Sequence, residues 1–251
     1  MSMTDVQEAI RHCNKKYGSN LSDRNPANFM KDIVRGQSAS RNWPEALKKL
    51  RFTAVQRPGA GNVFEFVPYG PGQTEPFPDI FKPDETTPRF RVQSVSMPLA
   101  ARELGRSDEP WLIQTAVNLR IVETHFSVIS EQPIAQLTHL QMSVKLRETE
   151  IDALFLATCK TDEGEYRAIV TCEAKQSRER VLEHQIISQV KAAFEETQVD
   201  VVIPIALRAV RGVGFYVVEF EAVRRADAAS LEGLSVSQEA IYELRPPVPG
   251  I

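Results

Sequence analysis

Two apolar β runs, EIDALFLATC at 150–159 and YRAIVTCEAK at 166–175, are joined by the turn-like stretch KTDEGE. A connection that short makes them an antiparallel hairpin. A helical stretch, RERVLEHQIISQVKAAFEE at about 178–197, follows, and then another apolar run, VDVVIPIALRAV. Hairpin, crossover helix and further strand build a mixed sheet with helices packed on it, an α/β arrangement. LTHLQMSVKL before the hairpin and VGFYVVEFEAV after it extend the strand order. A long helix from about Asp108 through EPWLIQTAVNLRIVETHFS precedes all of these runs, and IYELRPPVPGI reads as a closing strand and tail.

The chain has 251 residues, enough for one large core or a core with a smaller module. Its apolar runs are interrupted by charges or proline and fall far short of a membrane span. The polar N-terminus lacks the apolar centre of a secretory signal. Cys13, Cys159 and Cys172 are odd in number and widely spaced, which fits reduced thiols in a cytoplasmic protein. The expectation is a cytoplasmic location with no membrane partner.

Charge is uneven. Residues 1–60 hold eleven Lys/Arg against five Asp/Glu, and the remainder holds nineteen against twenty-eight. That split suggests a basic binding module on an acidic body. In the basic part, helical patterns at 4–17, after Asn25-Pro26, and over 43–50 precede two alternating runs, FTAVQR and NVFEFVPYG, around PGAG. Three short helices and a hairpin follow the order of a winged helix, here an α+β module over 1–67. In that reading the 43–50 helix enters the major groove of double-stranded DNA. Arg41, Asn42, Lys48, Lys49 and Arg51 lie at the DNA, and Arg57 sits by the wing tip. Trp43 beside Pro44 suits a core anchor better than a stacking residue. Residues 68–95, rich in proline and polar residues, read as a linker or long loop, leaving 96–251 as the second domain.

Within the hairpin, alternation puts Glu173 and Lys175 on one face. A turn centred near Asp162–Glu163 places Asp152 opposite Glu173. Like charges facing each other across a strand pair need a cation between them. Mg²⁺ is satisfied by one or two carboxylates, waters and phosphate oxygens. Asp152 and Glu173 supply the carboxylates, and the Ala174 carbonyl offers a further ligand. Lys175 can orient a metal-bound water. A partly buried lysine there can also have a lowered pKa and take a proton. Glu150, on the same face as Asp152, is a rival ligand. The competing reading is a surface Glu–Lys pair beside an unrelated aspartate. His12, His125, His139 and His184 lack metal-ligand spacing, and GVG at 212–214 lacks the context of a phosphate loop.

Asp152 in ETEID and Glu173-Ala174-Lys175 in CEAK resemble the active-site motif of the PD-(D/E)XK nuclease superfamily. The likeness spans roughly residues 108–220. It departs at Ile151, where the family motif has proline. The resemblance implies a restriction-endonuclease-like core. It also implies an added helix acid at Glu123 and a helix glutamine beside the site at Gln185 or Gln189. The implied activity is Mg²⁺-dependent, sequence-specific hydrolysis of double-stranded DNA to 5′-phosphate ends, most like a type II restriction enzyme. Such an enzyme works as a homodimer, with a cognate DNA methyltransferase as its genetic partner. A repair or junction nuclease, an inactive DNA-binding regulator and a scaffold with coincidental acids are the alternatives.

Overall fold

The computed structural model describes residues 1–35, 38–59, 62–146 and 149–251, with side chains throughout except at 27, 28, 31, 32, 35, 56–59, 62 and 63. The chain divides into two compact units. One comprises Met1–Ile80 with Arg178–Arg180, and the other Phe81–Ser177 with Val181–Ile251.

In the first unit, α1 (Met3–Tyr17) begins with a capping box between Ser2 and Asp5 and stops at Gly18, whose φ of 64° suits a left-handed cap. Helix α2 (Pro26–Arg35) starts at the expected proline. Two single turns follow, α3 (Ala39–Asn42) and α4 (Glu45–Lys49), then the antiparallel hairpin of β1 (Phe52–Gly59) and β2 (Asn62–Pro68). Val6, Ile10, Met30, Val34, Trp43, Phe64 and Phe77 form the core. Trp43 is an anchor, as its size suggests. Its ring meets Phe77 edge-on at 5.0 Å, and its indole N–H donates to the Phe52 carbonyl at 2.8 Å.

Two expectations change here. The 43–50 recognition helix is reduced to the five residues of α4, because Pro44 sits in an extended conformation as its cap and Leu50 ends it. The stretch 68–95 is not a linker throughout. Phe77 belongs to the first unit's core, and Arg89–Gln93 forms a strand, β3, of the second unit's sheet.

The second unit continues with α5 (Leu99–Glu103), α6 (Glu109–Asn118), α7 (Ile121–Val128), β4 (Ile134–Leu146), β5 (Thr149–Thr161), β6 (Gly164–Lys175), α8 (Glu183–Glu196), β7 (Val201–Val210), β8 (Gly214–Phe220), β9 (Val223–Arg224) and β10 (Val236–Arg245). They build one eight-stranded mixed sheet in the order β3-β10-β8-β7-β6-β5-β4, with the short β9 on β7. Strand β7 runs parallel to β6, joined through α8, and β3 runs parallel to β10. The other pairs are antiparallel. This is the expected α/β class, a large mixed sheet flanked by helices.

Alternation along the strands sorts the core into two layers. Ala153, Phe155, Val170, Cys172, Ile205 and Leu207 pack with Leu112, Ile121 and Val122 of α6 and α7. Ile169 and Val202 pack with Val190 and Phe194 of α8. The long helix expected from Asp108 is broken, since α6 ends at Asn118 and Arg120 adopts a left-handed φ of 52° before α7. Cys159 and Cys172 are free, buried core side chains. His125 is buried with Glu219 and Tyr242, its Nδ1 3.0 Å from the phenol oxygen and its Nε2 3.1 Å from Glu219 Oε2.

Candidate active site

Strands β5 and β6 pair in the expected register. Thr161 faces Gly164 at the turn, and Ala153 faces Cys172 at the far end. Asp152 and Glu173 come next along their strands. The Ala174 N–H donates to Asp152 Oδ2 at 2.7 Å and holds the aspartate against β6. Glu173 and Lys175 are almost wholly buried, at 3% and 2% exposure.

The Lys175 ammonium has three N–H donors and three oxygen acceptors around it. They are Glu173 Oε1 at 2.6 Å, Glu109 Oε1 at 2.8 Å and the Ala174 carbonyl at 2.9 Å. The other carboxylate oxygen of Glu173 accepts from Gln189 Nε2 on α8. The same amide donates to the Glu150 carbonyl at 3.1 Å. Glu109 is carried by the first turn of α6, where Asp108 caps the helix by accepting from the Trp111 N–H at 2.9 Å. Gln176, just past β6, donates to the Asp108 carbonyl at 2.8 Å and ties the two segments together.

The electrostatics follow from this crowding. Burial, and then the charge of Glu173, push the Asp152 carboxyl up to about 8, against the opposing pull of Lys175 and the Ala174 N–H. Burial alone draws the Lys175 ammonium down, but the carboxylates of Glu173, Glu109 and Asp152 outweigh it. Its pKa lies above the ordinary lysine range. The expectation of a lowered lysine pKa is therefore reversed. The three carboxylates hold Lys175 as a cation in this arrangement.

Neighbours of two anticipated residues make the contacts with Lys175 and Glu173. The acid that reaches Lys175 is Glu109, not Glu123. Glu123 lies on α7, after the helix break, and its Oε2 is buried without a hydrogen-bond partner. The glutamine on Glu173 is Gln189, not Gln185, one turn earlier on α8. Glu150 is exposed and contributes only its carbonyl, to Gln189. Nothing in the sequence around EPWL marks Glu109. Its role arises from where α6 begins in space.

The residues suit a hard divalent cation. Among the described residues, no three His, Cys, Asp or Glu side chains make a ready-built metal cage, but Mg²⁺ needs only one or two carboxylates beside water and phosphate oxygens. The donors are all oxygen, and those around Lys175 already surround one positive charge. Gln185 Oε1 and Gln189 Oε1 on α8 and Thr171 Oγ1, one pleat before Glu173, are buried without partners. Such atoms are satisfied by ordered water or a hydrated ion.

In the first unit, Arg41, Lys48 and Arg51 line one cavity of about 410 Å³ together with Tyr69. Asn42 instead borders an apolar groove with Trp43, Leu47 and Phe66. Lys49 is exposed. Arg57 lies in β1, and its side chain is outside the described residues. No helix is long and apolar enough to cross a membrane, among the described residues. Compared with family models, curated proteins and solved structures, the chain finds no match.

Proposed function

We propose that the chain is a Mg²⁺-dependent DNA endonuclease with a PD-(D/E)XK type of site, most like a type II restriction enzyme. The observation that carries this reading is the meeting of Asp152, Glu173 and Lys175 at one end of β5 and β6, where Asp152 is an acid pushed up to about 8. Two buried carboxylates side by side resist ionising together, and a divalent ion beside Lys175 would let both Asp152 and Glu173 carry charge. The strand order β4-β5-β6-β7, with α8 linking β6 to β7, supports a restriction-endonuclease-like core.

Asp152, Glu173 and the Ala174 carbonyl would hold the ion. When bound, Mg²⁺ supplies an acidified water and neutralises charge on the phosphate. Lys175 keeps its proton and would donate to an oxygen on which negative charge develops, in place of the Glu173 or Ala174 oxygen that the ion takes. Glu109 holds that ammonium in place through its 2.8 Å contact. Gln189 fixes the Glu173 carboxylate from behind. Arg41, Lys48 and Arg51 offer the first unit's cations to DNA phosphates. A homodimer cuts both strands of a two-fold-symmetric site, and a cognate methyltransferase protects the host's copies of it.

The test is digestion of unmethylated phage and plasmid DNA in Mg²⁺, Ca²⁺ or EDTA by wild type, Glu173→Ala and Lys175→Ala. Discrete fragments from wild type in Mg²⁺ alone are expected. Ragged or structure-dependent cutting moves the reading to a repair nuclease. Tight binding by all three proteins without cutting moves it to a DNA-binding regulator.

A further inference from the structure

The cavity of about 410 Å³ in the first unit is lined by Arg41, Lys48, Arg51, Tyr69, Thr74 and Glu75, with Ser40 and Pro76 completing its wall. Its cations are held mostly by neutral groups. Arg41 donates to Ser38 Oγ at 2.9 Å, and Lys48 donates to the Arg41 carbonyl at 3.2 Å. Arg51 donates to the Gln73 carbonyl at 2.8 Å, and its guanidinium lies 5.1 Å from the centre of the Tyr69 ring. Among the described residues, the closest carboxylate contact of these three is Lys48 with Glu45, at 3.6 Å. Three positive groups therefore meet at one concavity with most of their guanidinium and ammonium donors left over.

The wall is built rather than incidental. Arg51 has a left-handed φ of 56°, which a side-chain-bearing residue adopts only when its surroundings impose it. The Tyr69 N–H binds the Arg51 carbonyl at 2.8 Å. Gln73 braces the following loop, accepting from the Gly70 N–H at 2.9 Å and donating to the carbonyls of Glu75 and Pro76 at 2.8 and 3.0 Å. Burial pushes the Tyr69 phenol up, so it stays neutral as an aromatic surface.

We infer that this cavity binds a single nucleotide by its phosphate and its base. The arginines and Lys48 take the phosphate. The Tyr69 ring with its Arg51 cover offers the flat base a stacking surface. The inference rests on the proposed nuclease reading for its place in DNA recognition, but its test does not need cleavage.

The experiment is titration of the full chain in EDTA with 2′-deoxyadenosine 5′-monophosphate, inorganic phosphate and deoxyadenosine, read by calorimetry. The nucleotide binds at least ~10-fold more tightly than phosphate alone, since stacking adds to the ionic contact. Arg41→Ala and Arg51→Gln lose ~10-fold or more in nucleotide affinity. Tyr69→Leu falls to the affinity of phosphate, and Glu173→Ala binds as wild type. Circular dichroism melts verify that the variants are folded, and Arg41→Ala, at an exposed position, keeps the test valid if Arg51→Gln is not. Absence of saturable binding, equal affinity for phosphate and nucleotide, or loss of binding in Glu173→Ala each overturns the inference. DNA cleavage by a chain that binds no nucleotide leaves the nuclease reading standing and removes only the pocket. Nucleotide binding without cleavage does the reverse.

Discussion

Replacing Asp152 with asparagine should stabilise the metal-free protein at alkaline pH while destroying its metal site. The carboxyl has an ordinary value of 3.8 and a folded value of about 8. Between those two pH values the folded chain holds a proton that the unfolded chain has released, so stability falls as pH rises through the window and is fully present below it. At 1.36 kcal/mol per tenfold change in proton affinity, the loss by pH 8 is at most ~6 kcal/mol. Water and side-chain relaxation around Glu173, Lys175 and Glu109 reduce this, leaving about 1–3 kcal/mol to be recovered by the uncharged amide. The asparagine oxygen still accepts the Ala174 N–H. For a chain of this size the gain raises Tm by roughly 2–10 °C. Thermal melts of both proteins in EDTA from pH 4 to 9 check it. Wild type loses Tm across the window, the variant does not, and the curves converge near pH 4. Added Mg²⁺ raises the wild-type Tm through mass action and leaves the variant unchanged. A variant less stable than wild type at pH 8 in EDTA, or one with the same pH profile, refutes the argument that Asp152 is held protonated by burial and by Glu173.

Other perturbations separate the roles of the neighbours. Lys175→Ala removes the ammonium that competes for Glu173 Oε1 and Ala174 O, so calorimetry should show tighter Mn²⁺ or Mg²⁺ binding by a protein that no longer cleaves. Gln189→Ala should weaken metal affinity by about 10-fold through loss of the Glu173 contact, whereas Gln185→Ala changes it by less than about 2-fold. Glu219→Leu leaves His125 Nε2 and Ser130 Oγ without their carboxylate partner and should cost about 1–3 kcal/mol in urea unfolding. Trp43→Ala should destabilise the first unit by about 3–5 kcal/mol, seen as faster proteolysis within residues 1–80.

The hairpin was legible because its turn is short and its strands alternate. Once the turn was centred on Asp162–Glu163, the partners of Ala153 and Cys172 followed, and with them the approach of Asp152 to Glu173. The acidic helix residue was not legible, because reading 108–127 as one helix hid the left-handed break at Arg120 and drew attention to Glu123. Glu109 meets Lys175 across 66 positions of sequence, a contact that no local pattern encodes. Gln189 and not Gln185 meets Glu173 because of the rotation of α8 about its axis, and the sequence pattern puts the start of that helix at about 178 instead of Glu183. RFRVQ was hidden as a strand because it is short, charged and on the sheet edge, where its partner β10 lies about 150 residues away. The proline-rich stretch before it masked Phe77, whose burial depends on Trp43.

The most direct test of the central claim, that Asp152 and Glu173 hold a divalent ion, is to load the protein with Fe²⁺ and map the backbone breaks made by ascorbate and oxygen. An ion held at this site gives breaks next to residues 150–154 and 171–176 that excess Mg²⁺ suppresses and that Asp152→Asn and Glu173→Ala abolish. Breaks confined to other segments, or breaks that persist in both variants, contradict the account.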